Sequence, residues 1–162
     1  LSHIQYIYRE EVQITSVDHW NALIGTSLNE VTEPSAKVAI FWAGNIPYYM
    51  DRTTVDLLGK SDRYIAKNPP VREAVSSKYN FSDFMPGHNK WNFKYSIGEL
   101  DPDVITRSWP DPEFYKQLEI NNYKSYCIKL PQNKYGNEFP IYVKNNSKNI
   151  NYDKLVTCSD QN

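Results

Sequence analysis

The residues whose types and spacing could do chemistry gather between Gly44 and Lys90. The segment Gly44-Asn45-Ile46-Pro47-Tyr48 follows a continuous apolar run, so it reads as the turn after a buried strand. There Gly44 permits close backbone approach and Pro47 stiffens the exit, while Asn45 and Tyr48 could present hydrogen-bonding groups to a ligand. On its own such a segment is more plainly a strand-to-loop turn. Asp56 sits inside Val55-Asp56-Leu57-Leu58, where an ionised side chain is costly unless paired. Arg52, Arg63 or a turn of backbone N–H groups could pair with it, and its simplest role is a satisfied carboxylate holding a loop. Asp62 and Arg63, just beyond Gly59, join the same neighbourhood. Pro86-Gly87-His88-Asn89-Lys90 then sets an imidazole and a cation beside Trp91, a set that could bind a phosphate or a sugar hydroxyl. A surface His in a glycine turn is the commoner reading. The chemistry suggested is recognition by hydrogen bonds and charge.

Bond-making chemistry has no comparable support. The sequence holds no GxSxG elbow, P-loop, GxGxxG fingerprint or HExxH helix. Asp51, Asp56, Asp62, Glu99, Asp101 and Asp103 include too many carboxylates for a general acid and base to be chosen by spacing. His3 and His19 have no neighbours of catalytic type. Cys127 and Cys158 form no metal-ligand spacing, so neither a metal nor a cofactor is expected. In an oxidising compartment the two cysteines could close a loop of about thirty residues, worth roughly 3 kcal/mol; two separate thiols fit the sequence equally well.

With 18 Lys and Arg against 19 Asp and Glu, the 162-residue chain has no net field to steer it to nucleic acid or an anionic membrane. The longest apolar runs, such as residues 38–43, fall far short of the ~20 residues a spanning helix needs. The length fits a single domain, 1–162, burying roughly 70% of its unfolded surface. Leu1 stands where an initiator Met would, without a signal region, so an excised domain or mature protein is expected. Thirteen Tyr would suit sugar stacking, although AT-rich coding enriches the same residues.

Several elements must position these residues. Trp20, Leu23, Ile24, Leu28 and Val31 recur at helical spacing within residues 16–33, behind Ser16 or Asp18 as a cap. Strands are expected at residues 37–43, 53–58 and 104–108, and a helix at 111–118. Residues 125–130 and 139–143 alternate in polarity around Pro131 and Gly136 and read as two strands and a turn. Residues 67–85, interrupted by Pro69-Pro70, read as an irregular excursion, and the Asn-rich 145–151 as an exposed loop or fraying tail. The pattern predicts one α/β domain with a small central sheet flanked by helices and long loops, mixed if the later strands pair as the hairpin they resemble.

Four ordered blocks, Gly44 to Tyr48, Asp56 to Ala66, Pro86 to Lys90 and Pro102 to Ile105, resemble the soluble C-terminal domain of polytopic glycosyltransferases that use polyprenyl-phosphate sugars. That group includes bacterial arabinofuranosyltransferases and mannosyltransferase-like proteins. Lys60-Ser61 stands where the family more often has Leu-Asn. The resemblance implies an extracytoplasmic, periplasmic domain tethered to the cytoplasmic membrane by a transmembrane portion of the same protein. It implies an accessory or acceptor-binding role in cell-envelope glycan synthesis, with catalytic carboxylates in the membrane part and none here. The expected partner is a glycan acceptor or sugar ligand, met at a rim of Asn45, Tyr48, Asp56, Asp62, Arg63, His88 and Lys90. A free-standing carbohydrate-binding module, or a structural cap on a membrane domain, are the alternatives.

Overall fold

The computed structural model describes residues 16–69, 71 and 89–158. Helix α1 (Ser16–Val31) leads to strand β1 (Lys37–Ile40), the one-turn helix α2 (Asn45–Tyr49), strand β2 (Thr53–Asp56) and helix α3 (Arg63–Lys67). A π-helical segment (Lys94–Glu99) precedes β3 (Val104–Thr106) and α4 (Pro112–Ile120). The long hairpin β4 (Tyr123–Asn133) and β5 (Gly136–Lys144) follows, then a 3₁₀ turn (Tyr152–Lys154) and the two-residue β6 (Leu155–Val156).

These strands make one mixed six-stranded sheet in the order β2-β1-β3-β5-β4-β6. β1 runs parallel to both β2 and β3, whereas β3–β5, β5–β4 and β4–β6 are antiparallel. Alternation along the strands feeds two cores. Val38, Ile40, Val104, Ile141 and Val143 face α1, whose Ile24, Leu28 and Val31 cover them. Ala39, Phe41, Val55 and Ile105 turn the other way, onto Phe93 and Ile97 of the π-helical region and Phe114 and Leu118 of α4. A sheet covered on both faces explains why β1 reads as an unbroken apolar run, with its ends shorter than the run itself.

Three local readings change. The segment after β1 is not a bare turn: Asn45–Tyr49 closes a helical turn that packs on α1. Residues 145–151 are no fraying tail, because Ile150 is buried and bridges to Thr32, and Ser147 and Asn149 bond the buried Asp103. That Asp103 also accepts from the Lys37 backbone N–H at 2.9 Å, which makes the Asn-rich segment a clasp on the amino end of β1. Strand β6 was not foreseen. It is held to β4 by a Cys127–Cys158 disulfide across a sequence separation of 31 residues. Of the irregular excursion expected over residues 67–85, residues 70 and 72–85 lie outside the described residues.

Candidate functional site

β1 is the pivot of the parallel half. Its onward connection runs to β2 on one side, while β3 lies on its other side and connects onward to β4. Crevices form at the carboxyl ends of strands where connections diverge in this way. Carrying the β1–β3 register of Val38 with Val104 and Ala39 with Ile105 two residues further sets Phe41 level with Arg107. Leu57 joins them there, donating to the Ile40 carbonyl at 2.9 Å. The loops after β1, β2 and β3 therefore open on one end of the sheet.

Asp56 ends β2 at 5% exposure, and its partners are backbone and hydroxyl groups. One carboxylate oxygen accepts from Leu58 N–H at 3.0 Å, the other from Ser61 N–H at 2.6 Å and Ser61 Oγ at 3.0 Å. The loop folds back through Gly59 at φ +68°, where a Cβ would lie 2.5 Å from Ile65 Cγ2. Neither arginine weighed as a partner serves Asp56. Arg52 instead donates to the Asn29 and Thr32 carbonyls at 3.0 and 2.7 Å and caps the carboxyl end of α1. Arg63 is exposed and makes no hydrogen bond or ion pair among the described residues.

Asp62 caps α3, its Oδ1 accepting from Ile65 N–H at 2.9 Å. Tyr95 of the π-helical segment packs against Tyr64 with ring centroids 4.3 Å apart and the planes tilted by 37°. Desolvation first, and then the negative charge of the Asp62 carboxylate, hold the Tyr95 phenol above its ordinary pKa. Lys90 donates to the Ala66 carbonyl at 2.6 Å, at the other end of α3. Asn45 donates to Asp18 on α1, and Tyr48 projects from α2 at 83% exposure, edge-on to Tyr49. His88 lies outside the described residues. Asp56, Asp62, Arg63 and Lys90 thus belong to one β2–α3 corner, with Asn45 and Tyr48 on the adjoining α2.

An open pocket of about 500 Å³ lies beside that corner, lined by Asn21, Trp42, Ala43, Gly44, Asn45, Lys60 and Ser61. Its indole, Trp42, carries the Arg107 guanidinium 4.4 Å from the ring centroid. Behind it Phe41 stacks on Trp109 at 4.9 Å, and Trp91 meets Trp109 at 5.6 Å while donating to Asp111 at 3.0 Å. The buried Trp109 Nε1–H has no acceptor among the described residues. Trp42, Arg107 and Trp109 escaped the sequence reading because they stand in different segments that only the β1–β3 register joins. The available signal was that each closely follows a strand.

What this arrangement can do is bind: an aromatic wall, amide and hydroxyl groups and cations surround a space open to solvent. Among the described residues no group of His, Cys, Asp and Glu could hold a metal ion, and no helix is long and apolar enough to cross a membrane. No curated protein and no solved structure matches the chain. A family model does match, over residues 4–144, from before α1 to the last residue of β5, so β6 and Cys158 lie beyond the matched span. The chain belongs to the family described as Domain of unknown function (DUF8728).

Proposed function

We propose that this domain is the extracytoplasmic accessory domain of a membrane glycosyltransferase that uses polyprenyl-phosphate sugars, and that it orients a glycan acceptor in cell-envelope synthesis. The observation that carries the reading is convergence. The loops bearing the first two blocks of the glycosyltransferase resemblance end beside one open pocket at the carboxyl end of the parallel strands, and Lys90 of the third reaches the same corner through α3. A disulfide agrees with an oxidising compartment outside the cytoplasm. The mechanism is positional: hydrogen bonds and aromatic contact hold the acceptor, lowering the entropic barrier to its meeting the donor, while catalysis belongs to the membrane part.

Tyr48 and Arg63 provide the clean test because both are exposed and neither makes a hydrogen bond or ion pair among the described residues. Tyr48→Ala with Arg63→Ala is expected to leave melting unchanged, to weaken glycan binding by the domain and to slow transfer by the full-length protein. Unchanged binding and transfer would sink the proposal. One observation favours a second, structural reading: Asp56, Asp62 and Lys90 commit polar atoms to loop and helix-end hydrogen bonds. Under that reading the double variant has no phenotype, so the same experiment separates the two.

A further inference from the structure

We infer that Arg107 on Trp42 is an anion-recognition platform at the mouth of the carboxyl-end pocket, and that its ligand is a sugar carrying a phosphate or carboxylate group. The inference rests on the carbohydrate reading above and gives that reading a substrate class.

Three independent observations converge on Arg107. Its backbone is left-handed, φ +66°, a conformation disfavoured for a residue that is neither Gly nor Asn and of the kind that collects at ligand sites. Its guanidinium is held over Trp42, the indole that lines the pocket, and makes no ion pair or hydrogen bond among the described residues. A guanidinium anchored on an indole loses little further freedom on binding, and its planar fork of donors matches a two-oxygen anion. Its position, the first residue after β3 and level with Phe41 across the register, is where the β1 and β3 connections diverge. The rest of the pocket suits the sugar. Asn21, Asn45 and Ser61 offer amide and hydroxyl groups, and Lys60 adds positive charge.

The test is an NMR titration of the 162-residue chain with glucose, mannose and galactose as neutral probes, with glucuronate and glucose 1-phosphate as charged ones, and with inorganic phosphate. A charged sugar is expected to bind about tenfold or more tighter than any neutral one, shifting the Trp42 indole N–H, and the two charged probes show whether carboxylate or phosphate is read. Arg107→Gln should abolish the preference, and Arg107→Gly should abolish it while melting no lower than Arg107→Gln, because glycine relieves the left-handed backbone. Neutral sugars binding as tightly as charged ones, unchanged in Arg107→Gln, overturn the anion platform and leave the carbohydrate reading standing. Inorganic phosphate binding as tightly as glucose 1-phosphate overturns the sugar part. Binding by none of the sugars overturns both.

Discussion

Asp56 holds its loop with three accepted hydrogen bonds, and two of them come from backbone N–H groups. Replacing one carboxylate oxygen by an NH₂ turns an acceptor toward a donor. Asp56→Asn is therefore expected to cost about 2 kcal/mol in urea unfolding. Tyr123 makes a second residue-scale prediction. Burial first, then the Asp101 and Asp103 carboxylates, push its phenol far above the ordinary value of about 10, while its hydroxyl donates to the Pro102 carbonyl. The folded state keeps the proton that the unfolded chain gives up, so this contribution is complete below pH ~10 and is lost as pH rises beyond it. Unfolding midpoints measured from pH 8 to pH 11 should fall more steeply in the wild type than in Tyr123→Phe. At this scale the sequence was half legible. A lone carboxylate in an apolar run announced that it needed partners, but which donors reach it depends on Gly59 reversing the loop, and hydrophobic periodicity says nothing about that.

At the scale of elements, α1 and α2 meet at close range. Gly25 is the contact point: a Cβ there would lie 2.8 Å from the Ile46 carbonyl oxygen and 3.1 Å from Tyr49 Cβ. Helix propensity alone favours Gly25→Ala by about 1 kcal/mol. Backbone on α2 cannot yield as a flexible side chain would, so the clash should win and lower Tm, and a raised Tm would show that α2 moves freely. Asn29 makes the same junction polar, donating to the Tyr49 carbonyl at 3.2 Å and accepting from Asp51 N–H at 3.0 Å. Element types were read well from the sequence where periodicity persisted, as in α1, α4 and the β4–β5 hairpin. They were missed where few residues carry the pattern. A two-residue strand such as β6 has no period, and the π-helical Lys94–Glu99 breaks the helical one. Trp42 and Arg107 are legible only through strand pairing, which a single sequence does not state.

For the whole molecule, the disulfide is the one covalent long-range link. The loop it closes contains part of β4, all of β5 and the segment that clasps Asp103. Reduction, or Cys158→Ser, is expected to destabilise the domain by roughly 3 kcal/mol, read as a drop in the denaturant midpoint that reductant does not deepen in the variant. Because β1 and β3 contribute side chains to both cores, the loss should appear in one transition, with tryptophan fluorescence and circular dichroism coinciding. Two transitions would mean that the α1 face and the α4 face melt separately.

β3 contributes three residues, yet it joins the parallel half of the sheet to the antiparallel half. Both of its sheet neighbours are distant along the chain: Asp103, next to its start, bonds Lys37 across 66 residues, and Val104 pairs with Val143 of β5, whereas β4 and β5 meet each other across a short turn. In time, this means that the hairpin can form within microseconds, while closure of β1 onto β3 waits on a large entropic loop. The last strand to find its place is then the one on which both halves depend. Val104→Ala should slow refolding in stopped-flow measurements, whereas Ile128→Ala, out in the hairpin, should mainly alter the unfolding rate. The shortest interior strand would act as the clock of the fold.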